Sequence, residues 1–123
     1  MKILIVEDEE ILSTVLQEKF ENENFKVEVA QEGSVVLAMA KKFKPDIILL
    51  DILLPKMNGI EVLKHLKNDD DISNIPVIML TNLSEDVKIK EALELGAIDY
   101  LVKTQHPINE VVEKVNKYAL KAK

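Results

Sequence analysis

The sequence predicts an α/β fold: a doubly wound (βα)5 three-layer sandwich around a parallel sheet. Three observations predict it. Five short apolar runs recur along the 123 residues. Stretches with the period of an amphipathic helix separate them. The first, third and fourth runs are nearly unbroken Ile, Leu and Val, as in strands covered on both faces. Strands alternating with helices of this length imply right-handed crossovers and parallel pairing.

The first run is Lys2 to Val6. Ile11, Leu12, Val15, Leu16, Lys19 and Phe20 then place a stripe at three- and four-residue spacings, the mark of a helix. The second run, Phe25 to Ala30, alternates Phe25, Val27 and Val29 with Lys26 and Glu28, which predicts an edge strand. A second helix follows from Val36, Leu37, Ala40 and Phe43. The third run is Asp46 to Leu50, and Ile60, Leu63, His65, Leu66 and Lys67 mark the third helix. The fourth run is Pro76 to Leu80. Its helix carries Val87, Ala92, Leu93 and Leu95, with Ser84 as the expected N-cap and Gly96 as the C-cap. Tyr100 to Lys103 is the fifth run. Ile108, Val111, Val112, Val115 and Tyr118 mark the last helix, with Pro107 in its first turn and fraying expected after Tyr118.

Composition narrows the chemistry. With no cysteine there is no disulfide framework, thiol nucleophile or thiolate-held metal. Two histidines, His65 and His106, make a multi-histidine zinc site improbable. Three glycines cannot spell G-x-G-x-x-G or a P-loop. The formal charge of −6 argues against direct nucleic acid binding by this chain. The lysines at 41, 42 and 44 and at 117, 121 and 123 read as solvated helix ends. No window reaches the roughly 18 apolar residues of a membrane span, and the apolar start runs into Glu7-Asp8-Glu9-Glu10 without a signal-peptide pattern. A cytoplasmic location is expected.

Ligand sites in open parallel sheets lie beyond the carboxyl ends of the strands. Here those ends carry Glu7 and Asp8, then Asp51, Thr81 and Lys103. Three carboxylates in one crevice repel one another unless a cation compensates. Mg²⁺ prefers oxygen ligands and keeps several waters, so it suits one or two carboxylates and a phosphoryl oxygen. Carboxylate nucleophile, metal, hydroxyl and lysine together describe a site that accepts a phosphoryl group on Asp51.

Four motifs carry a resemblance over essentially the whole chain: Ile-Val-Glu7-Asp8-Glu9, then Leu-Leu-Asp51-Ile-Leu-Leu-Pro55-Lys-Met-Asn-Gly59, then Val-Ile-Met-Leu-Thr81, then Gly96-Ala-Ile-Asp-Tyr100-Leu-Val-Lys103. The sequence resembles the receiver domain of two-component response regulators, the chemotaxis-type single-domain members in particular. The resemblance implies a flavodoxin-like sheet of order 2-1-3-4-5 and one receiver domain over residues 1–123. It implies Asp51 as phosphoacceptor, Thr81 as switch hydroxyl, Lys103 as phosphoryl contact and Tyr100 as the switch aromatic. Asp8, Asp51 and the Leu53 backbone carbonyl match the direct Mg²⁺ ligands, with Glu7 reaching the metal through water; Mn²⁺ can substitute. Pro55 and Gly59 match turn residues after the phosphorylation loop. The implied partners are a sensor histidine kinase or histidine phosphotransfer protein, and a downstream effector or a C-terminal output domain absent from this chain. A homodimer through helix four, strand five and helix five is also within the family's range. On this reading the Thr81 shift lets Tyr100 move inward and alters that face, and the chain is a switch rather than a turnover enzyme.

The sequence departs from the family pattern at four places. Thr104 follows Lys103 where proline, usually after a cis bond, is the rule; a cis bond there costs roughly 2.5–4 kcal/mol, and the sequence leaves both isomers open. Asn82 stands where a small residue is usual and could narrow access to Asp51. Leu53 and Leu83 occupy the two positions that tune phosphoryl lifetime. Neither can orient an attacking water, so slow self-dephosphorylation is expected.

Two other functions compete with this reading. A Mg²⁺-dependent phosphohydrolase of the haloacid-dehalogenase kind needs a second aspartate at position 53, which is Leu. A phosphorylation-independent binding module sits poorly with a complete set of acid, hydroxyl and lysine. Glu9 and Glu10 read as first-turn acids, His65 as a helix-surface residue, His106 as an ordinary loop residue, and Met57 and Met79 as packing residues.

Overall fold

The computed structural model describes residues 1–121. Five strands and five main helices alternate: β1 (Lys2–Val6), α1 (Glu10–Asn22), β2 (Lys26–Ala30), α2 (Val36–Phe43), β3 (Ile47–Leu50), α3 (Gly59–Asn68), β4 (Val77–Thr81), α4 (Asp86–Glu94), β5 (Asp99–Val102) and α5 (Ile108–Lys121). A short 3₁₀ turn, Gly33–Val35, leads into α2. The sheet is parallel throughout, in the order β2-β1-β3-β4-β5. This is the doubly wound, flavodoxin-like arrangement with β2 at one edge.

Strand alternation divides the core in two. Leu4, Val6, Ile48, Leu50, Val77 and Met79 point to the face covered by α2, α3 and α4. Ile3, Ile5, Ile47, Leu49, Ile78 and Leu80 point to the face covered by α1 and α5, where Leu16, Phe20, Val111 and Val115 pack on them. The three central strands are buried on both sides, which is why their sequences are continuous rather than alternating. β2 alternates in exposure, as its position at the edge requires.

Several boundaries and faces differ from expectation. Ile11 is 84% exposed and Lys19 is exposed; buried Ser13 takes the inner position instead, its hydroxyl donating to the Glu10 carbonyl. On α3 the buried residues are Gly59, Ile60, Val62, Leu63 and Leu66, while His65 lies outside the stripe. On α4 only Ala92 is buried, and Val87 and Leu93 face outward. Ser84 does not cap α4. Glu85 holds that place, its carbonyl taking the N–H groups of Lys88 and Ile89, and no side chain caps the helix. Gly96 follows the cap residue Leu95 at φ +111°, with Gly96 N–H on Leu93 and Ala97 N–H on Ala92, a Schellman closure. Pro107 precedes α5, and its carbonyl accepts from Glu110 and Val111. α5 continues past Tyr118 to Lys121; the rest of the expected fraying falls outside the described residues.

Candidate functional site

The reversal of strand order lies between β1 and β3, where crossovers leave to opposite faces and open a crevice. Val6 pairs with Leu50 in register, so the next residues on both strands meet at its mouth. The ladders continue one step past the strands: Glu7 N–H donates to Ala30 and Asp51 N–H to Val6. That step fixes the backbone from which both acids project. Thr81 closes β4 in register with Val102, and Lys103 N–H donates to the Thr81 carbonyl at 2.9 Å.

Glu7, Asp51 and Thr81 are three of the four buried polar residues among the described residues. Asp8 is exposed at the rim. One ligand oxygen each from Glu7, Asp8 and Asp51 lies within 4.8 Å of the others. The Lys103 ammonium stands 2.7 Å from Glu7 Oε1, 2.8 Å from Asp51 Oδ2 and 3.6 Å from Glu9 Oε1. Asp51 Oδ1 accepts the Leu53 N–H at 3.1 Å, and Glu7 Oε2 accepts the Glu9 N–H at 3.0 Å. Every oxygen of the two buried acids is thereby engaged.

The electrostatics are not fully balanced. Burial pushes the Glu7 carboxyl above its ordinary range, and the Asp51 charge adds to the rise, against the hydrogen bonds from Lys103 and Glu9. Burial pulls the Lys103 ammonium down, but its bonds to Asp51 and Glu7 outweigh that and hold it above its ordinary value. Three carboxylates face one ammonium, and the excess negative charge is made of hard oxygen donors. That donor set fits a hard divalent cation. Among the described residues, the Leu53 carbonyl accepts no hydrogen bond and is free to join it. Leu53 itself is 54% exposed.

The loop after Asp51 is held close by a glycine. A Cβ at Gly59 would lie 2.0 Å from the Asp51 carbonyl, so only glycine lets the α3 N-terminus approach, with Gly59 N–H on the Ile52 carbonyl. Asn58 caps α3, accepting the Glu61 N–H. Lys56 takes a left-handed φ of +73° inside a γ-turn closed by Met57 N–H on Pro55.

Tyr100 is turned inward. It is 8% exposed, and its hydroxyl donates to the Leu83 carbonyl at 2.6 Å. The ring already occupies the inward position in this structure. Burial and the charges of Asp51 and Glu85 raise its phenol to about 12. Asn82 is exposed, and Leu83 packs against the core below the β4–α4 loop. No peptide bond among the described residues is cis, so Lys103–Thr104 is trans. His106, read from sequence as an ordinary loop residue, instead bonds the backbone of Val102.

The response regulator receiver domain model matches residues 3–116. The chain belongs to this family. It is 42% identical over 106 residues to the alkaline phosphatase synthesis transcriptional regulatory protein PhoP of Bacillus subtilis, an alignment that covers 86% of this chain and 43% of PhoP. The receiver domain of the Francisella response regulator 1452 superposes with a TM-score of 0.90 at 30% identity, covering 99% of this chain and 98% of that one. The Mn²⁺-bound form of response regulator Rcp1 superposes with a TM-score of 0.76 at 31% identity, over 83% of this chain and 80% of that one. This chain spans less than half the length of the curated relatives it matches. It is a phosphorylation-dependent receiver rather than a turnover enzyme, and Glu7, Asp8 and Asp51 form an acidic cluster whose oxygens lie close enough together to suit a divalent metal. Among the described residues no helix is long and apolar enough to cross a membrane.

Proposed function

We propose that Asp51 accepts a phosphoryl group from a phosphohistidine of a sensor histidine kinase or a histidine phosphotransfer protein. An Asp51 carboxylate oxygen attacks phosphorus in line, the P–N bond breaks, and the electron pair returns to the donor imidazole, which takes up a proton. Asp8, Asp51 and the Leu53 carbonyl would hold Mg²⁺, with Glu7 reaching it through water, and Mn²⁺ fits the same oxygens. When bound, the metal supplies positive charge against that developing on the phosphoryl oxygens. Lys103 provides the fixed cation on the other side, and the Thr81 hydroxyl a donor to a phosphoryl oxygen. The observation that carries this reading is the Lys103 ammonium bridging Glu7 and Asp51 at 2.7 and 2.8 Å in a crevice with an excess of carboxylate.

The inward Tyr100, bonded to Leu83, ties the β4–α4 loop to β5. Phosphorylation that draws Thr81 toward Asp51 favours this tied arrangement over one with Tyr100 outside. The result is a population shift that changes the α4–β5–α5 face. That face would meet the downstream effector, an output domain or a second copy of the chain. A cytoplasmic location agrees with a kinase partner of this kind.

The test is uptake from a small phosphodonor such as acetyl phosphate. Intact-protein mass spectrometry should show one added phosphoryl group with Mg²⁺ and none with a chelator. Labelling that survives the chelator, or that persists in Asp51→Ala, would overturn the proposal.

A further inference from the structure

β5 is an edge strand, and among the described residues no strand pairs with its outward backbone groups. Lys103 N–H points inward, onto the Thr81 carbonyl. The Val102 N–H points to the open edge, where the imidazole of His106 meets it, Nδ1 lying 3.1 Å away. Nδ1 is also 3.1 Å from the Val102 carbonyl oxygen. That oxygen already accepts the N–H groups of Gln105 at 2.9 Å and of His106 at 3.0 Å, so both its lone pairs are used. Val102 N–H has no other acceptor among the described residues. Nδ1 therefore accepts, and Nε2 carries the proton toward Glu110, 3.9 Å away.

Thr104 and Gln105 are exposed, and among the described residues neither side chain makes a hydrogen bond. The imidazole is then the one side chain that closes the turn following Lys103. We infer that His106 is a positioning residue for Lys103: its Nδ1 clamps Val102, fixes the trans turn from Val102 to His106, and so sets where the Lys103 ammonium stands over Asp51. The inference rests on the assignment of Asp51 and Lys103 to phosphoryl transfer. A displacement of one ångström at a positioned group can cost up to about 10²-fold in rate.

The experiment compares His106→Leu, which removes the acceptor, with His106→Asn, whose Oδ1 can replace Nδ1. With acetyl phosphate and Mg²⁺, His106→Leu should lower the phosphorylation rate constant about 10-fold and His106→Asn should restore most of it. Calorimetric Mg²⁺ affinity should stay within about two-fold of the unsubstituted protein in both. In a Lys103→Ala background, His106→Leu should have no further effect, because the group it positions is gone. An equal loss in that background, or no loss in the single variant, would overturn the inference. A second readout needs no phosphoryl transfer: the ¹³Cε NMR signal of Lys103 should move in His106→Leu and return in His106→Asn. If the unsubstituted chain takes no phosphoryl group, the Asp51 assignment fails while this signal still judges His106; an unmoved signal would refute the positioning role.

Discussion

At the amino edge of the sheet, each cation meets backbone carbonyls or one carboxylate. Lys2 N–H donates to Asp46 and its ammonium to the Phe43 carbonyl, and Lys41 meets Asp69 at 2.6 Å at the surface. Lys67, half-buried, gives its ammonium to the carbonyls of Ser73 and Ile75. At the carboxyl edge the pattern reverses. Buried Glu7 and Asp51 converge on one lysine, with Asp8 exposed beside them, and burial pushes Glu7 away from its charged form. The same sheet thus disperses charge at one end and concentrates it at the other. Concentration of this kind opposes folding, and a cation or a transferred phosphoryl group can exploit it.

Five substitutions break or sharpen that contrast. The largest effect belongs to Asp51→Asn, which keeps the shape and removes the nucleophile. Phosphoryl uptake from acetyl phosphate should fall by about 10³-fold or more, below detection in a mass assay. Lys103→Ala comes next. Uptake should fall about 10²-fold, while Mg²⁺ binding strengthens, because the ammonium no longer competes for Glu7 and Asp51. Parallel calorimetry and rate measurements separate the two; weakened Mg²⁺ binding would show that Lys103 organises the acids rather than competing for them.

Leu83→Glu should shorten the life of the phosphorylated state by placing a carboxylate where water can be oriented. A decay assay after donor removal reads it, and equal lifetimes would contradict the part given to Leu83.

Tyr100→Phe should cost roughly 1 kcal/mol by freeing the Leu83 carbonyl. It also carries a pH signature. The native phenol keeps its proton from pH 10 to about 12, where the unfolded chain loses it, so stability is full below pH 10 and falls through that window. Denaturant titrations should show that slope flattened in Tyr100→Phe. At the small end, Lys41→Ala at the amino edge should leave the thermal midpoint within error, as a screened surface pair does.

Much of this was readable from residue order. Unbroken Ile-Leu-Val runs announced the central strands, and alternation in Phe25 to Ala30 announced the edge. Asp51, Thr81 and Lys103 could be placed together because each ends a strand. What stayed hidden depends on contacts that leave no period. Ile11 has the spacing of a buried residue, yet it is exposed and Ser13 takes the inner position. Ser84 has the chemistry of a cap but sits one residue early. The inward ring of Tyr100 is a rotamer choice decided by a carbonyl 17 positions away. His106 gave no signal because its role is to accept one backbone N–H from an edge strand four residues before it.

The central claim is that Asp51 carries the phosphoryl group. The most direct measurement is borohydride trapping after incubation with acetyl phosphate and Mg²⁺, followed by peptide mass spectrometry. Reduction of an aspartyl phosphate leaves homoserine at the modified position. The account predicts homoserine at residue 51 alone, dependent on Mg²⁺. Homoserine at another aspartate, or none despite a phosphoryl mass on the intact chain, would contradict it.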